Sequence, residues 1–147
     1  EALAPSKQPR EILVDSIGIG SGVVDRLREL GLPVRGVNVA EAPSMGGTYL
    51  NLRSELWFKT KAWFEDRACK LPKDDQLLAE LTGIRYSFTS SGKMKAESKD
   101  EMRKRGLQSP DLADALCLTM ASDAATALSG AFNSWRGEIK RNLRGIA

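Results

Sequence analysis

Apolar and polar positions along this chain change period several times, and the changes mark its elements. Glu11 to Asp15 is a short apolar run that stops at a Gly-rich loop, Ser16-Ile17-Gly18-Ile19-Gly20-Ser21-Gly22, as a buried strand would. Val23, Val24, Leu27 and Leu30 then recur at helical spacing, with Ser21 as candidate N-cap and Gly31 as stop. Pro33 to Val39 reads as a second strand, and a strand–helix–strand unit predicts a parallel α/β sheet. After the Pro- and Gly-marked loop Ala40 to Thr48, Asn51 to Lys70 reads as a long helix with Leu52, Leu56 and Trp63 on one side, ended by Pro72. Asp74 to Leu81 predicts a short helix closed by Gly83. Ile84 to Thr89 and Lys93 to Ala96 flank Ser90-Ser91-Gly92 as a hairpin. Glu97 to Arg105 predicts a charged helix. Ser109 would then cap a last helix, with Pro110 in its first position and Leu112, Ala115, Leu116, Thr119 and Met120 on its apolar face. From Ser122 small residues dominate, and Phe132, Trp135, Ile139 and Leu143 recur along a basic tail. The pattern divides the chain into a domain over 1–121 and a helical tail or tether over 122–147.

Composition narrows the possibilities. The 147 residues suit one domain with a sizeable core. No apolar stretch reaches membrane-spanning length. The start, Glu1-Ala2-Leu3-Ala4-Pro5, reads neither as a signal peptide nor as a natural N-terminus, so a longer parent chain is expected. The absence of His excludes a Ser-His-Asp triad, a Cys-His dyad and a His-ligated zinc site. No P-loop pattern is present. Cys69 and Cys117 lack metal-type spacing, and both read as reduced, buried thiols in helical surroundings. A net charge of +3 permits nucleic-acid contact without demanding it.

The candidate chemistry rests on three aspartates. Asp15 ends the first strand, where a carboxylate is costly to bury unless something pairs with it. Asp111 and Asp114 stand at i, i+3 at a helix start and so share one face. Each has a plainer explanation: acidic residues suit a first helical turn through the macrodipole, and an Asp after a strand often makes a turn. Against these, Ser109 is available as the cap, Asp114 is framed by Leu112, Ala113, Ala115 and Leu116, and the next helix starts too late for Asp15 to cap it. Brought together, the three would form an oxygen-only pocket for Mg²⁺ or Mn²⁺, which implies phosphodiester hydrolysis. Gly18-Ile19-Gly20-Ser21-Gly22 also invites a dinucleotide-binding reading. Its third Gly comes too early, however, and no acidic residue ends the next strand, Val37-Asn38-Val39. The glycines instead let the backbone approach something closely.

Lys93, Lys95, Lys99, Arg103, Lys104 and Arg105 cluster on the hairpin and the charged helix, interleaved with Glu97, Asp100 and Glu101. They form either a solvated face or a phosphate-contacting rim, in which Lys93, Lys95, Lys99 and Arg103 would meet DNA. Trp57, Trp63 and Phe64 read as core, and Asp25 as an ordinary surface charge.

Four stretches carry a resemblance. They are Val14 to Leu27, Asn51-Leu52-Arg53-Ser54-Glu55-Leu56-Trp57, Lys95 to Gly106, and Ser109-Pro110-Asp111-Leu112-Ala113-Asp114-Ala115-Leu116. In this order they resemble the C-terminal nuclease domain of the large terminase subunit of tailed bacteriophages. The resemblance implies an α/β, RNase H-like fold and a two-metal endonuclease that cuts concatemeric double-stranded viral DNA during packaging in the bacterial cytoplasm. It makes Asp15 the second acidic ligand of Mg²⁺ or Mn²⁺, and Asp111 and Asp114 the pair on the closing helix. It adds the portal and the small terminase subunit as partners. The family's first catalytic Asp lies on a strand upstream of anything in this sequence. The resemblance therefore implies an incomplete fragment of the domain, with weak metal binding, little cleavage alone, and an exposed sheet edge that favours self-association. A non-catalytic docking fragment of the packaging motor is the alternative, and a cellular resolvase-like enzyme is a third reading.

Overall fold

The computed structural model describes residues 9–67 and 69–122. Strand β1 (Ile12–Asp15) pairs in parallel with β2 (Val34–Val37), placing Ile12 opposite Val34 and Asp15 opposite Val37. Parallel neighbours need a crossover, and helix α1 (Gly20–Glu29) supplies it. The helix packs its one buried residue, Val24, onto the pair. Gly36 makes that contact possible, since a Cβ there would stand 3.1 Å from Ser16 Cβ and 3.3 Å from Val24 Cγ2. Two expectations fail here. Ser21 lies inside α1 rather than capping it, and its hydroxyl donates to the Gly18 carbonyl at 3.0 Å. Val23 and Leu30 are exposed, because a helix covering only two strands buries a narrow stripe.

Helix α2 (Leu52–Glu65) runs through the centre of the molecule. Asn51 caps it by accepting from Ser54 N, and Ser54 Oγ in turn accepts from Ala96 N at 3.1 Å, which ties the helix start to the hairpin. The helix ends five residues before Lys70, because Arg67 turns into the left-handed region (φ +54°) and its N–H closes onto the Phe64 carbonyl. Its buried face is Ser54, Glu55, Leu56, Trp57 and Thr60; of the expected side, Leu56 is buried and Leu52 packs against the core, whereas Trp63 is half-buried outside it. Hydrophobic spacing misplaces the stripe because three of its members are polar. Glu55 is fully buried yet satisfied: it accepts from Ser44 N at 2.6 Å and from Ser44 Oγ, and pairs with Lys59 at 2.7 Å. Burial pushes its carboxyl up, and the hydrogen bonds from Lys59 and Ser44 more than offset this, leaving it below the ordinary range. The side chain thereby pins the loop that precedes α2.

Helix α3 (Asp75–Gly83) is capped by Asp74 through Leu77 N. Strands β3 (Tyr86–Phe88) and β4 (Met94–Ala96) form the expected hairpin, with Gly92 at φ +78° in the turn. Helix α4 (Lys99–Lys104) starts later than expected, where Ser98 and Glu101 form a reciprocal capping box. Helix α5 (Asp111–Leu118) continues into a single 3-10 turn, Thr119–Ala121. Its inward face is Ala113, Cys117 and Leu118, whereas Leu112 and Ala115 are exposed. The predicted face is thus rotated. The small residues Ala113 and Cys117 lie against α2, where they let the two helices approach. Cys117 is a buried thiol pushed up to about 12 by that burial, while Cys69 is half-buried and lies beyond the end of α2.

The core joins Val37, Leu56, Trp57, Ala96, Ala113, Cys117 and Leu118, with Leu13 and Val39 packed against it. It therefore takes members from the sheet, α2, the hairpin and α5. The expected tail over 122–147 lies outside the described residues apart from Ser122. Among the described residues no helix is long and apolar enough to cross a membrane.

Candidate metal and nucleic-acid site

Between β1, the start of α2, β4 and α5 lies an open cleft of about 670 Å³. Asp15, Asp111 and Asp114 all line it, as do Arg53, Lys95 and Lys99. Residues from opposite ends of the sequence reach one space because α5 packs on α2 and touches β1.

Asp15 lies at the C-terminal end of β1, and it is exposed rather than buried. Its Oδ1 accepts from Ile17 N at 3.1 Å, the turn that an Asp after a strand commonly makes. Desolvation is thus no argument for a ligand at Asp15. The glycine loop behind it does make a close approach, but to the protein itself: a Cβ at Gly20 would lie 1.7 Å from the Asp15 carbonyl oxygen. Gly20 lets α1 begin directly against the end of β1.

Asp111 and Asp114 occupy the first turn of α5. The cap differs from expectation, since Pro110 holds the N-cap position and the Glu80 carboxylate of α3 accepts from Ala113 N in the first turn at 2.9 Å. Ser109 instead donates to Asp111 Oδ1 at 2.6 Å. That bond, followed by the nearby Lys99 ammonium, holds the Asp111 carboxyl below its ordinary range. Asp111 is open, with 75% of its side chain exposed, against 21% for Asp114. Asp114 is also the better-held of the two. Its Oδ1 accepts from Trp57 Nε1 at 2.8 Å and from Arg53 NH2 at 3.1 Å. Its Oδ2 meets Lys99 Nζ at 3.4 Å, and the same ammonium is 3.5 Å from Asp111 Oδ1. Arg53 and Trp57 share a face of α2 at i, i+4, with the guanidinium 5.7 Å from the ring centroid. Neither was singled out as a site residue. An Arg one helical turn before a core Trp was the available signal.

Among the described residues no three His, Cys, Asp or Glu side chains gather closely enough to enclose one ion. Asp15, Asp111 and Asp114 share the cleft walls without converging on one point. The donor set nevertheless suits a hard divalent cation, being carboxylate oxygen throughout. The Lys99 ammonium, in contact with both carboxylates of α5, stands where positive charge is favoured between them.

The basic rim is only partly free. Lys95 pairs with Glu101 at 2.7 Å and Arg103 with Asp100 at 2.9 Å, whereas Lys93 makes no ion pair among the described residues. Lys95 and Lys99 line the cleft, and Lys93 and Arg103 do not. Trp63 and Phe64 are half-buried and meet at a tilt of 47°, 5.3 Å between ring centroids. Asp25 pairs loosely with Arg28 on the surface.

No protein-family model and no curated protein matches the chain. Solved structures do. The nuclease domain of the large terminase subunit gp2 of bacterial virus Sf6 superposes with a TM-score of 0.63 at 25% identity, covering 76% of this chain and 65% of that one. A lysine-to-alanine variant of that domain with manganese superposes at 0.64 and 24% identity, covering 76% and 66%. The same variant with manganese and beta-thujaplicinol gives 0.64 and 23%, covering 76% and 65%. The chain spans about two thirds of the length of the solved chains it matches. The shared architecture is α/β and RNase H-like.

Proposed function

We propose that this chain, which has the fold of a phage large-terminase nuclease domain, forms part of a divalent-metal-dependent DNA endonuclease that acts during viral genome packaging. The observation that carries the reading is the cleft itself. It brings Asp15, Asp111 and Asp114 from distant parts of the sequence onto one set of walls, with Lys95 and Lys99 beside them. The solved relatives with manganese support Mg²⁺ or Mn²⁺ as the cofactor.

In this reading Asp114, Asp111 and Asp15 hold the metal ions, which when bound supply Lewis acidity at the scissile phosphate and lower the pKa of a coordinated water. The chain's own residues do the rest. Lys95 and Lys99 offer ammonium groups to phosphate oxygens within the cleft, and Lys93 and Arg103 extend that contact along the backbone without reading bases. Lys99 has a second part. Its ammonium compensates the two α5 carboxylates when no other cation is near them, and it is released toward DNA when one is. Double-stranded DNA is the substrate in this proposal, with the portal and the small terminase subunit as partners.

Mn²⁺ titration followed by calorimetry tests the site in the chain as it stands. Asp114→Asn and Asp111→Asn are expected to weaken binding at least ten-fold, and Asp15→Asn to weaken it measurably, with the metal-free thermal midpoint largely kept in the Asp111 and Asp15 variants and lowered in Asp114→Asn, which leaves the Arg53 guanidinium without its carboxylate. Unchanged Mn²⁺ affinity in all three variants would refute the nuclease reading.

A further inference from the structure

Asp114 differs from every other acidic residue at the cleft in how it is held. Two donors from α2, the Trp57 indole N–H at 2.8 Å and Arg53 NH2 at 3.1 Å, converge on a single oxygen, Oδ1. The other oxygen, Oδ2, is left to the cleft and meets only the Lys99 ammonium there. Both donors are themselves fixed. Trp57 is 8% exposed in the core, and Arg53 NH1 donates to the Glu97 carbonyl at 2.7 Å. This arrangement has an energetic drawback: Arg53 Nε is buried with no hydrogen-bond partner among the described residues. Leaving a buried donor unpaired is unfavourable. The guanidinium keeps this pose through NH1 on the Glu97 carbonyl, NH2 on Asp114 Oδ1 and its place over the Trp57 ring. The pose fixes both the rotamer of Asp114 and which of its oxygens faces outward. Asp111 is held only by one serine hydroxyl and the Lys99 ammonium it shares with Asp114, and most of its side chain is in solvent.

We infer that Arg53 and Trp57 are positioning residues that clamp Asp114 Oδ1 and so present Oδ2 as the first and best-ordered metal-ligating atom of the cleft. The inference rests on the metal-site reading above and assigns within it what that reading leaves open, namely which α5 carboxylate ligates first. Groups that hydrogen-bond a ligating carboxylate orient it and tune its basicity, and losing one typically weakens metal affinity by roughly 10–100-fold.

The test uses the whole chain, with Mg²⁺ as the probe. The indole N–H resonances of the three tryptophans, Trp57, Trp63 and Trp135, are followed by ¹⁵N-edited NMR, and affinity is measured in parallel by calorimetry. Binding at Oδ2 draws electron density from the carboxylate that Trp57 donates to, so the Trp57 resonance is expected to shift on saturation while Trp63 stays still. Trp57→Phe keeps an aromatic, if smaller, ring in the core and removes the donor, and Arg53→Lys keeps the charge and removes the forked geometry. Each is expected to weaken Mg²⁺ binding at least ten-fold, with the metal-free fold retained by circular dichroism. If Asp114→Asn abolishes binding while Trp57→Phe and Arg53→Lys bind as the wild type does, the clamp is refuted and the site stands. A Trp57 resonance that ignores saturating Mg²⁺ also refutes the clamp. If the wild type does not bind, or Asp114→Asn binds equally well, the site reading falls and takes the clamp with it.

Discussion

At the residue scale, function depends on a few close approaches and paired oxygens. Gly20 is the sharpest case. A side chain there would collide with the Asp15 carbonyl, so α1 could no longer start against β1. Gly20→Ala is expected to destabilise the protein by roughly 1–3 kcal/mol and to displace Asp15 from the cleft wall. Thermal unfolding together with Mn²⁺ titration checks this, and an unaltered melting midpoint would count against the close packing. The glycine-rich loop was visible in the sequence, but not what its backbone approaches, because a run of alternating glycines says nothing about which atom lies opposite. Asp114 shows the same limit. Its apolar neighbours marked it as needing a partner, whereas the partners, Arg53 and Trp57, lie far away in sequence on another helix.

At the element scale, turns were more legible than caps or faces. Gly92 turns the hairpin as expected, because a turn involves residues next to one another. Both expected N-caps failed, with Ser21 inside α1 and Ser109 bonded to Asp111, whereas Asp74, not singled out as a cap, caps α3. Helix faces were misjudged in α2 and α5. Buried Ser54, Glu55 and Thr60 find hydrogen bonds within the fold, so they look like surface residues in the sequence and are not. Helix α4 is short and leans heavily on its capping box, in which Ser98 Oγ accepts from Glu101 N. Ser98→Ala is expected to cost about 1 kcal/mol and to lower the melting temperature by several degrees. It should also loosen Lys99 at the helix start, read as weaker retention on DNA at low salt. A variant with an unchanged melting temperature would show that tertiary contacts alone hold α4.

At the scale of the whole molecule, the carboxylates decide how the fold answers to pH. Glu101 is held down to about 2, first by its bond from Lys95 and then by those from Ser98. Glu97 is lowered chiefly by Arg105, and Glu11 chiefly by Arg35. Groups whose folded pKa is depressed contribute stability above their unfolded value and lose it as pH falls. The protein is therefore expected to hold its melting temperature above about pH 4.5 and to lose it progressively toward pH 2, most steeply at low salt, where ion pairs are least screened. A flat profile across that range would contradict the pairing. The order of strands and helices, the exclusion of His-based chemistry and the identity of the three aspartates were all written in the chain, since each depends on residue type and near-neighbour spacing. Their meeting in one cleft, the exposure of Asp15 and the hold of Arg53 and Trp57 on Asp114 were settled by folding. They depend on the packing of α5 against α2 and β1, which joins residues that no local pattern connects.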